Sequence, residues 1–296
     1  MTRILSSLFL LTTCFWFTTF TSANEGEQTD AQEYAKWAQN TWEKMNRQTG
    51  TIILPNGVAT LNVPNDFYYL SPKDAEVVLV KFWGNVPGDT TLGMLFPASY
   101  TPFDSNAWAV EIDYEEDGHV DDEDAADIDY DDLLADMQSA VKEASKERVA
   151  QGYESIDLVG WAATPYYDSK GKKLHWAKEL KFGDSEDNTL NYNIRILGRK
   201  GVLTMNFIAG INQLPQINNQ LDTVLTMASF NEGQRYSDFD PSIDNVAAYG
   251  IGALIAGKAA SKLGILAGLL LALKKFWIVI VAGFVGVFRW IKARFN

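Results

Sequence analysis

Fourteen carboxylates and no lysine or arginine lie between Glu111 and Asp136. Within that stretch oxygen ligands fall at alternate positions, Asp113, Glu115 and Asp117, followed by Gly118, His119 and the apolar Val120. Asp121 and Asp124 come where the ninth and twelfth places of a calcium-binding loop would be. Calcium is a hard cation that takes six to eight oxygens, so Asp113, Glu115, Asp117, Asp121 and Asp124 are the candidate metal ligands. Three features depart from an EF-hand. Place twelve is an aspartate, too short for the bidentate glutamate, place three is Glu115, and the residues before Asp113 alternate like a strand where an EF-hand has a helix. A structural reading covers much of the same run. Asp117-Gly118 turns the chain, Asp129, Asp131 and Asp132 cap and charge the start of a helix, and Asp121 to Asp124 form a solvated loop. Both readings stand, the ionic one as an acidic loop outside the EF-hand class.

Other chemistry is thinly supplied. The chain has one cysteine, Cys14, and two histidines, His119 and His175. That leaves no disulfide and no multi-histidine metal centre to build. No G-x-S-x-G elbow occurs. His175 falls on the polar face of an expected strand and His119 in the acidic turn, so both read as surface histidines. With 38 acids in the chain, some carboxylate pair will stand at a hydrolytic spacing by chance. Trp83, Trp108, Trp161, Trp176, Tyr166 and Tyr167 sit at strand and helix spacings and read as core.

The charges are unevenly placed. Residues 1–23 carry one base and residues 246–296 carry seven, with no acid in either, so the overall −13 leaves residues 24–245 at −21. Such a body repels nucleic-acid phosphates, and no nucleic-acid partner is expected. Residues 1–23 read as a secretory signal: Arg3, an apolar stretch, then Thr21-Ser22-Ala23 for cleavage. Thr13, ahead of Cys14, is bulkier than a lipoprotein site takes.

The C-terminal residues 246–296 read as a membrane anchor made of two apolar segments, 246–273 and 276–291, divided at Lys274-Lys275. A span needs about 20 apolar residues, and a lysine at the bilayer centre costs about 2.5–3.5 kcal/mol on insertion scales. One helix centred on the lysine pair is therefore disfavoured, and the second segment either spans thinly or re-enters. Ala256, Ala260, Gly264 and Gly268 recur every four residues, the small-residue stripe through which membrane helices self-associate.

Residues 24–245 predict an α+β fold, an antiparallel sheet with packed helices. A helix covers 31–46. Asn56-Gly57 joins two strands in a hairpin. Ser71-Pro72 opens a helix that Gly84 closes. Trp108, Val110, Ile112 and Tyr114 mark one strand, and Leu133 to Ala144 an amphipathic helix. Ile156–Ala162 is a further strand. The next has Leu174, Trp176, Leu180 and Phe182 on one face, broken by Lys178. Leu190–Ile196 and Val202–Ala209 follow, joined at Gly198-Arg199-Lys200-Gly201, and Pro215–Ala228 is helical.

Three stretches carry a resemblance: Phe82–Pro87 (FWGNVP), Trp108–Tyr130 (WAVEIDYEEDGHVDDEDAADIDY) and Gly233–Gly257 (GQRYSDFDPSIDNVAAYGIGALIAG). With their spacing, the chain resembles the membrane-anchored protein family of bacterial envelopes whose domain has no assigned function. His119 departs from it, standing where an aromatic is usual, and so does Val86, where a second proline is common. The resemblance implies an inner-membrane protein with its main domain in the periplasm, in contact with the lipid bilayer. The leading expectation is a non-enzymatic role, binding an envelope protein partner or scaffolding. A divalent-cation-responsive binding domain acting through the acidic 113–124 loop, with calcium as a candidate ion, and a hydrolase are the alternatives.

Overall fold

The computed structural model describes residues 22–87 and 91–256. The chain divides into two units, Met1–Met45 and Asn46–Asn296. The first contributes helix α1, Ser22–Lys44, which contains most of the helix expected at 31–46. The signal segment lies outside the described residues except for Ser22 and Ala23, which are helical.

The second unit holds a seven-stranded sheet in the order β3-β4-β5-β9-β8-β7-β6 and a three-stranded sheet in the order β1-β2-β10. Every strand pair is antiparallel, as the α+β reading expects. The small sheet is β1 (Gly50–Ile53), β2 (Ala59–Val63) and β10 (Ala228–Phe230). Its hairpin turns at Asn56-Gly57, where Gly57 takes φ +72° at no steric cost. The large sheet is built from β3 (Phe67–Leu70), β4 (Gly93–Pro97), β5 (Ala109–Glu115), β6 (Ile156–Asp168), β7 (Lys173–Phe182), β8 (Thr189–Leu197) and β9 (Val202–Gly210). Among the described residues of the unit, α2 (Pro72–Glu76), α3 (Tyr130–Ala150), α4 (Leu214–Met227) and α5 (Ile251–Ala256) are the α-helices.

Period-two alternation divides the large sheet's faces. Trp108, Ile112, Tyr192, Ile194, Met205 and Phe207 point to one face and bury with Leu61 of β2 and Ile217 and Val224 of α4. The other face is apolar toward β6 and β7 and at the end of β8 and start of β9, where Leu158, Leu174, Trp176, Leu197 and Val202 bury with Met137 of α3 and Ile251, Leu254 and Ile255 of α5. Helix α3 starts as its sequence dictates: the Asp129 carboxylate accepts from the backbone N–H groups of Asp131 and Asp132 at 3.0 and 3.1 Å.

The structure departs from expectation in three elements. Strands β3 and β4 are buried at every residue, so they show no alternation and read as neither strand nor helix. The helix opened by Ser71 makes one α-turn and then winds as a π-helix over Val77–Phe82 before Gly84 closes it at φ +68°. Strand β6 runs six residues past Ala162, through Pro165, with register shifts against β7 that absorb the irregular pairing.

No helix among the described residues is long and apolar enough to cross a membrane. The segments expected to do so lie outside the described residues from 257 onward, as do Ala260, Gly264 and Gly268 of the small-residue stripe. Residues 246–256, the beginning of that apolar run, are instead part of the folded unit. Val246 bridges to His119, and Ile251, Leu254 and Ile255 are buried in the second core. Half a dozen apolar residues on so short a helix are better buried against α3 than left in water.

Candidate functional site

The acidic run does not gather around one point. The strand pleat holds Asp113 and Glu115 on the large sheet's second face, paired with Thr204 and Val202 of β9. Beyond β5 the chain turns at Gly118, and its later carboxylates meet the segment that leads into α5. Asp117 accepts from the Tyr249 hydroxyl at 2.7 Å, and Asp124 from the Ile251 N–H at 3.1 Å. Asp121 accepts from the Glu123 N–H within its own turn. Among the described residues no three of histidine, cysteine, aspartate and glutamate stand close enough to share an ion. Among the described residues the five carboxylates expected as ligands at 113–124 are not gathered around one point, because a strand rather than a helix enters the run and the C-terminal segment supplies donors to Asp117 and Asp124.

What forms is a clasp. Asp122, expected to be solvated, accepts from Tyr167 Oη and Lys172 Nζ at 2.7 Å each and from Tyr236 Oη at 2.9 Å. Burial alone would raise its carboxyl, but these three donors more than reverse that and hold it below the usual aspartate range. Burial and the carboxylate together push the Tyr167 and Tyr236 hydroxyls upward, so both stay protonated as donors. Lys172 also lies over the Tyr236 ring, 4.8 Å from its centre.

Behind Asp122, the His119 N–H donates to the Asn245 carbonyl, and the Ala247 N–H donates back to the His119 carbonyl, both at 2.8 Å. A Cβ on Gly118, which has φ +103°, would sit 2.9 Å from the backbone of residues 245 and 247, so only glycine lets the two strands of the clasp approach. On the other side, Arg199 Nε donates to the Asp244 carboxylate at 2.7 Å, with the aspartate side chain 1 % exposed.

Neither histidine is at the surface. His119 stacks on Phe239 at 3.9 Å and leans on Tyr236 at 4.2 Å, serving as the aromatic that the resemblance expects at its position. His175 is 5 % exposed, stacked on Tyr166 at 4.6 Å. It was expected on a polar strand face, but both faces of β7 are covered. Burial, with Lys173 adding, pushes its pKa down to about 4.

A different arrangement occupies the middle of the second face. Register places Glu111, Asn206 and Asn193 in one row across β5, β9 and β8, and Asp113, Thr204 and Arg195 in the next. Asn191 faces Lys178 of β7. Acids therefore line β5, amides and a threonine lie between, and the cations stand on β8 and β7. Burial pushes the Lys178 ammonium down to about 8, with Arg195 adding to the shift. Burial lowers the Arg195 guanidinium, which lies over the Trp176 ring, against the opposing pull of Glu115, Asp113 and Glu111.

Where α3 and the α2–π segment leave this face uncovered, a cleft of ≈270 Å³ opens. Asn191, Asn206 and Glu111 lie in its lining, as do Leu79 and Val80 of the π-helix and Ile156 and Leu180 of the paired β6 and β7. It continues past Trp83 and Phe182 toward the start of β8. Two polar atoms in this region, Asn206 Oδ1 and Thr204 Oγ1, are buried without a hydrogen-bond partner among the described residues. Such atoms typically cost about 1–3 kcal/mol each.

Residues 46–285 match a family described as "Protein of unknown function (DUF2167)". The chain belongs to that family. No curated protein matches the chain. Among solved structures it is similar to cyanobacterial PsbP (CyanoP) from Synechocystis sp. PCC 6803, at 12% identity and TM-score 0.34, over 63% of this chain and 92% of that one. It is also similar to the Ran-binding protein Mog1p of Saccharomyces cerevisiae, at 14% identity and TM-score 0.31, over 63% and 96%. Within this DUF2167 chain, two of the stretches that carried the resemblance supply residues of the clasp, Asp117 to Asp124 from the first and Tyr236 to Ile251 from the second.

Sequence reasoning missed the cleft, though two signals for it were present. Lys178 interrupts an otherwise apolar strand face, and Glu111, Asn191, Asn193 and Asn206 recur at period two on strands that prove to be neighbours. Read strand by strand they look like a solvated face. Only the β5-β9-β8 order assembles them.

Proposed function

We propose that this chain is a membrane-tethered, non-enzymatic domain of the bacterial envelope. In this reading the body from residue 46 lies in the periplasm and binds a protein partner, and the apolar residues beyond 256 hold it at the inner membrane. The clasp is the observation that carries the reading. Three separated parts of the body grip the segment 235–251: the acidic turn through Asp122, the β6–β7 connection through Lys172 over the Tyr236 ring, and the β8–β9 turn through Arg199. The apolar run therefore departs from a fixed point on a rigid body, as a tether for a presented binding surface requires. The use of the chemistry-bearing groups is consistent with this, since His119 and His175 stack on aromatic rings and the acidic turn serves as an acceptor for the clasp.

Capture of partners by the full chain, compared with a form ending at Ala256, tests the binding role. The same specific partners are expected with both forms, less abundantly without the tether. Loss of every specific partner sinks the reading. Labelling an engineered cysteine at Asn296 from each side of the membrane tests the tether: no membrane association of the full chain would remove it.

A further inference from the structure

The clasp pins the chain between Phe239 and Ala247 and leaves two apolar side chains outside it. Asp240 closes a tight turn: its N–H donates to Asp244 Oδ2 at 2.8 Å, and its carboxylate accepts from the Ser242 N–H and hydroxyl. Asp244 points inward, its side chain 1 % exposed, to Arg199 and Lys200. Next to it, the Asn245 carbonyl and the Ala247 N–H bracket His119. With those groups committed inward, Ile243 and Val246 are held outward. At 72 % and 59 % exposed they are, with Ile53, the most exposed large apolar side chains among the described residues. A single exposed apolar side chain needs no explanation. These two stand three residues apart on a segment fixed at both ends, close to where the chain leaves the body. Val246 comes shortly before α5, which runs Ile251–Ala256. Extended chain spans about 3.3–3.6 Å per residue and helix about 1.5 Å, so the pair lies within about 25 Å of that exit. Past the exit, residues 257–273 hold no acid, and their only charges are Lys258 and Lys262. Beside Ile243 the charges are Lys200 against Glu116 and Asp117, an acid excess that anionic headgroups repel.

We propose that Ile243 and Val246 seat the body on a bilayer surface, dipping between headgroups and acyl chains while the apolar run past Ala256 holds the protein there. The partner is a lipid surface, recognised through its hydrocarbon rather than its charge. Apolar side chains bind such an interface in proportion to the area they remove from water. Two of them make a weak contact alone, but a tether keeps the bilayer at high effective concentration, and a weak contact then suffices. The seating decides which side of the body faces the membrane, and with it which side a partner meets. The proposal rests on the tether proposed above and goes beyond it by assigning that face.

Fluorescence quenching of the full chain in phosphatidylcholine vesicles tests it. In a Cys14→Ser background, a dye is attached at Asn245→Cys, exposed between the two apolar residues, or at the exposed Ser105→Cys as reference. Ser105 precedes β5 and Gly118 follows it, so about 20 Å of strand separates the reference from the patch. Lipid carrying a nitroxide near its headgroup is expected to quench the dye at 245 at least threefold more than the dye at 105. Aqueous iodide should quench it at least threefold less. Replacing both apolar residues together, Ile243→Ser with Val246→Ser, should bring the two dyes level at unchanged melting temperature, because neither side chain is buried. Equal lipid quenching of the two dyes in the unsubstituted chain overturns the proposal. So does quenching that survives the double substitution, or that appears only when anionic lipid is added. A dye at 245 shielded from iodide yet untouched by the lipid nitroxide means that a second copy or another protein covers the patch, and overturns it too. Should the double variant not fold, the comparison of the two dyes in the unsubstituted chain decides alone. A chain that does not float with the vesicles removes the tether, and the proposal falls with it. A chain that floats with both dyes equally aqueous keeps the tether and loses the seating.

Discussion

The clasp and the cleft draw on the same residue types and use them in opposite ways. In the clasp each of Asp117, Asp122 and Asp124 receives a donor from a residue more than forty positions away, and the aromatic rings close over His119. Beside the cleft the Asn206 amide donates to Glu111 while its own oxygen is buried without a partner among the described residues, and the apolar side chains lining the cleft are only half covered. Satisfied polar groups fix one arrangement of the chain, whereas a buried acceptor left without a partner costs stability. The dense acidic run is used in holding the chain together, while the sparser polar row borders an open cleft.

The largest effect that would break this contrast is at the centre of the clasp. Asp122→Ala leaves the Lys172 ammonium and the Tyr167 hydroxyl without their acceptor, and Tyr236 with the Val120 carbonyl alone. Losing one partner of a buried pair costs about 3–5 kcal/mol. With side chains 19 % and 32 % exposed, about 2–4 kcal/mol is expected after solvent screening. Denaturant unfolding measures it, and a change under 1 kcal/mol (on the order of a surface substitution) would show the clasp to be ornamental.

Acid should reach the core before it reaches the clasp. His175 has a folded pKa of about 4 against about 6.5 unfolded, so its contribution is complete above pH ~6.5. Between there and about 4 only the unfolded chain takes up the proton, and stability falls with pH by up to about 3 kcal/mol. The Asp122 carboxyl is held below the ordinary aspartate range, so its share is present above that range and is lost only as pH falls further. Thermal melts across pH 7 to 4 (a window set by those pKa values) should flatten in His175→Phe and keep their slope in Asp122→Asn.

Smaller effects sharpen the boundary between the two regions. Gly118→Ala should cost about 1–3 kcal/mol from left-handed backbone strain, with added crowding against residues 245–247. Protease cleavage within 236–250 should rise with it, and unchanged cleavage would mean the segment is held elsewhere. Asn206→Leu removes both an unpaired acceptor and the long hydrogen bond to Glu111, opposing effects that should leave stability within about 1 kcal/mol. A large destabilisation there would make Asn206 a structural residue of the clasp's kind.

By itself the sequence determined much of the secondary structure. The Asn56-Gly57 hairpin, the Asp129 cap of α3 and the alternation of β5, β8 and β9 are set by contacts within a few residues. The antiparallel α+β class followed from them. It also placed all the charge asymmetry, with a basic, acid-free end on an acidic body. Tertiary structure decided the rest, because the deciding partners are remote in the chain. Strands β3 and β4 show no alternation since both their faces are covered. Asp122 reads as one more solvated acid until Tyr167, Lys172 and Tyr236 arrive from later elements. The apolar run that starts at Val246 enters the core at Ile251 because α3 and β7 offer it a surface there. The cleft exists only because β9, made late, pairs between β5 and β8 and sets Asn206 beside Glu111.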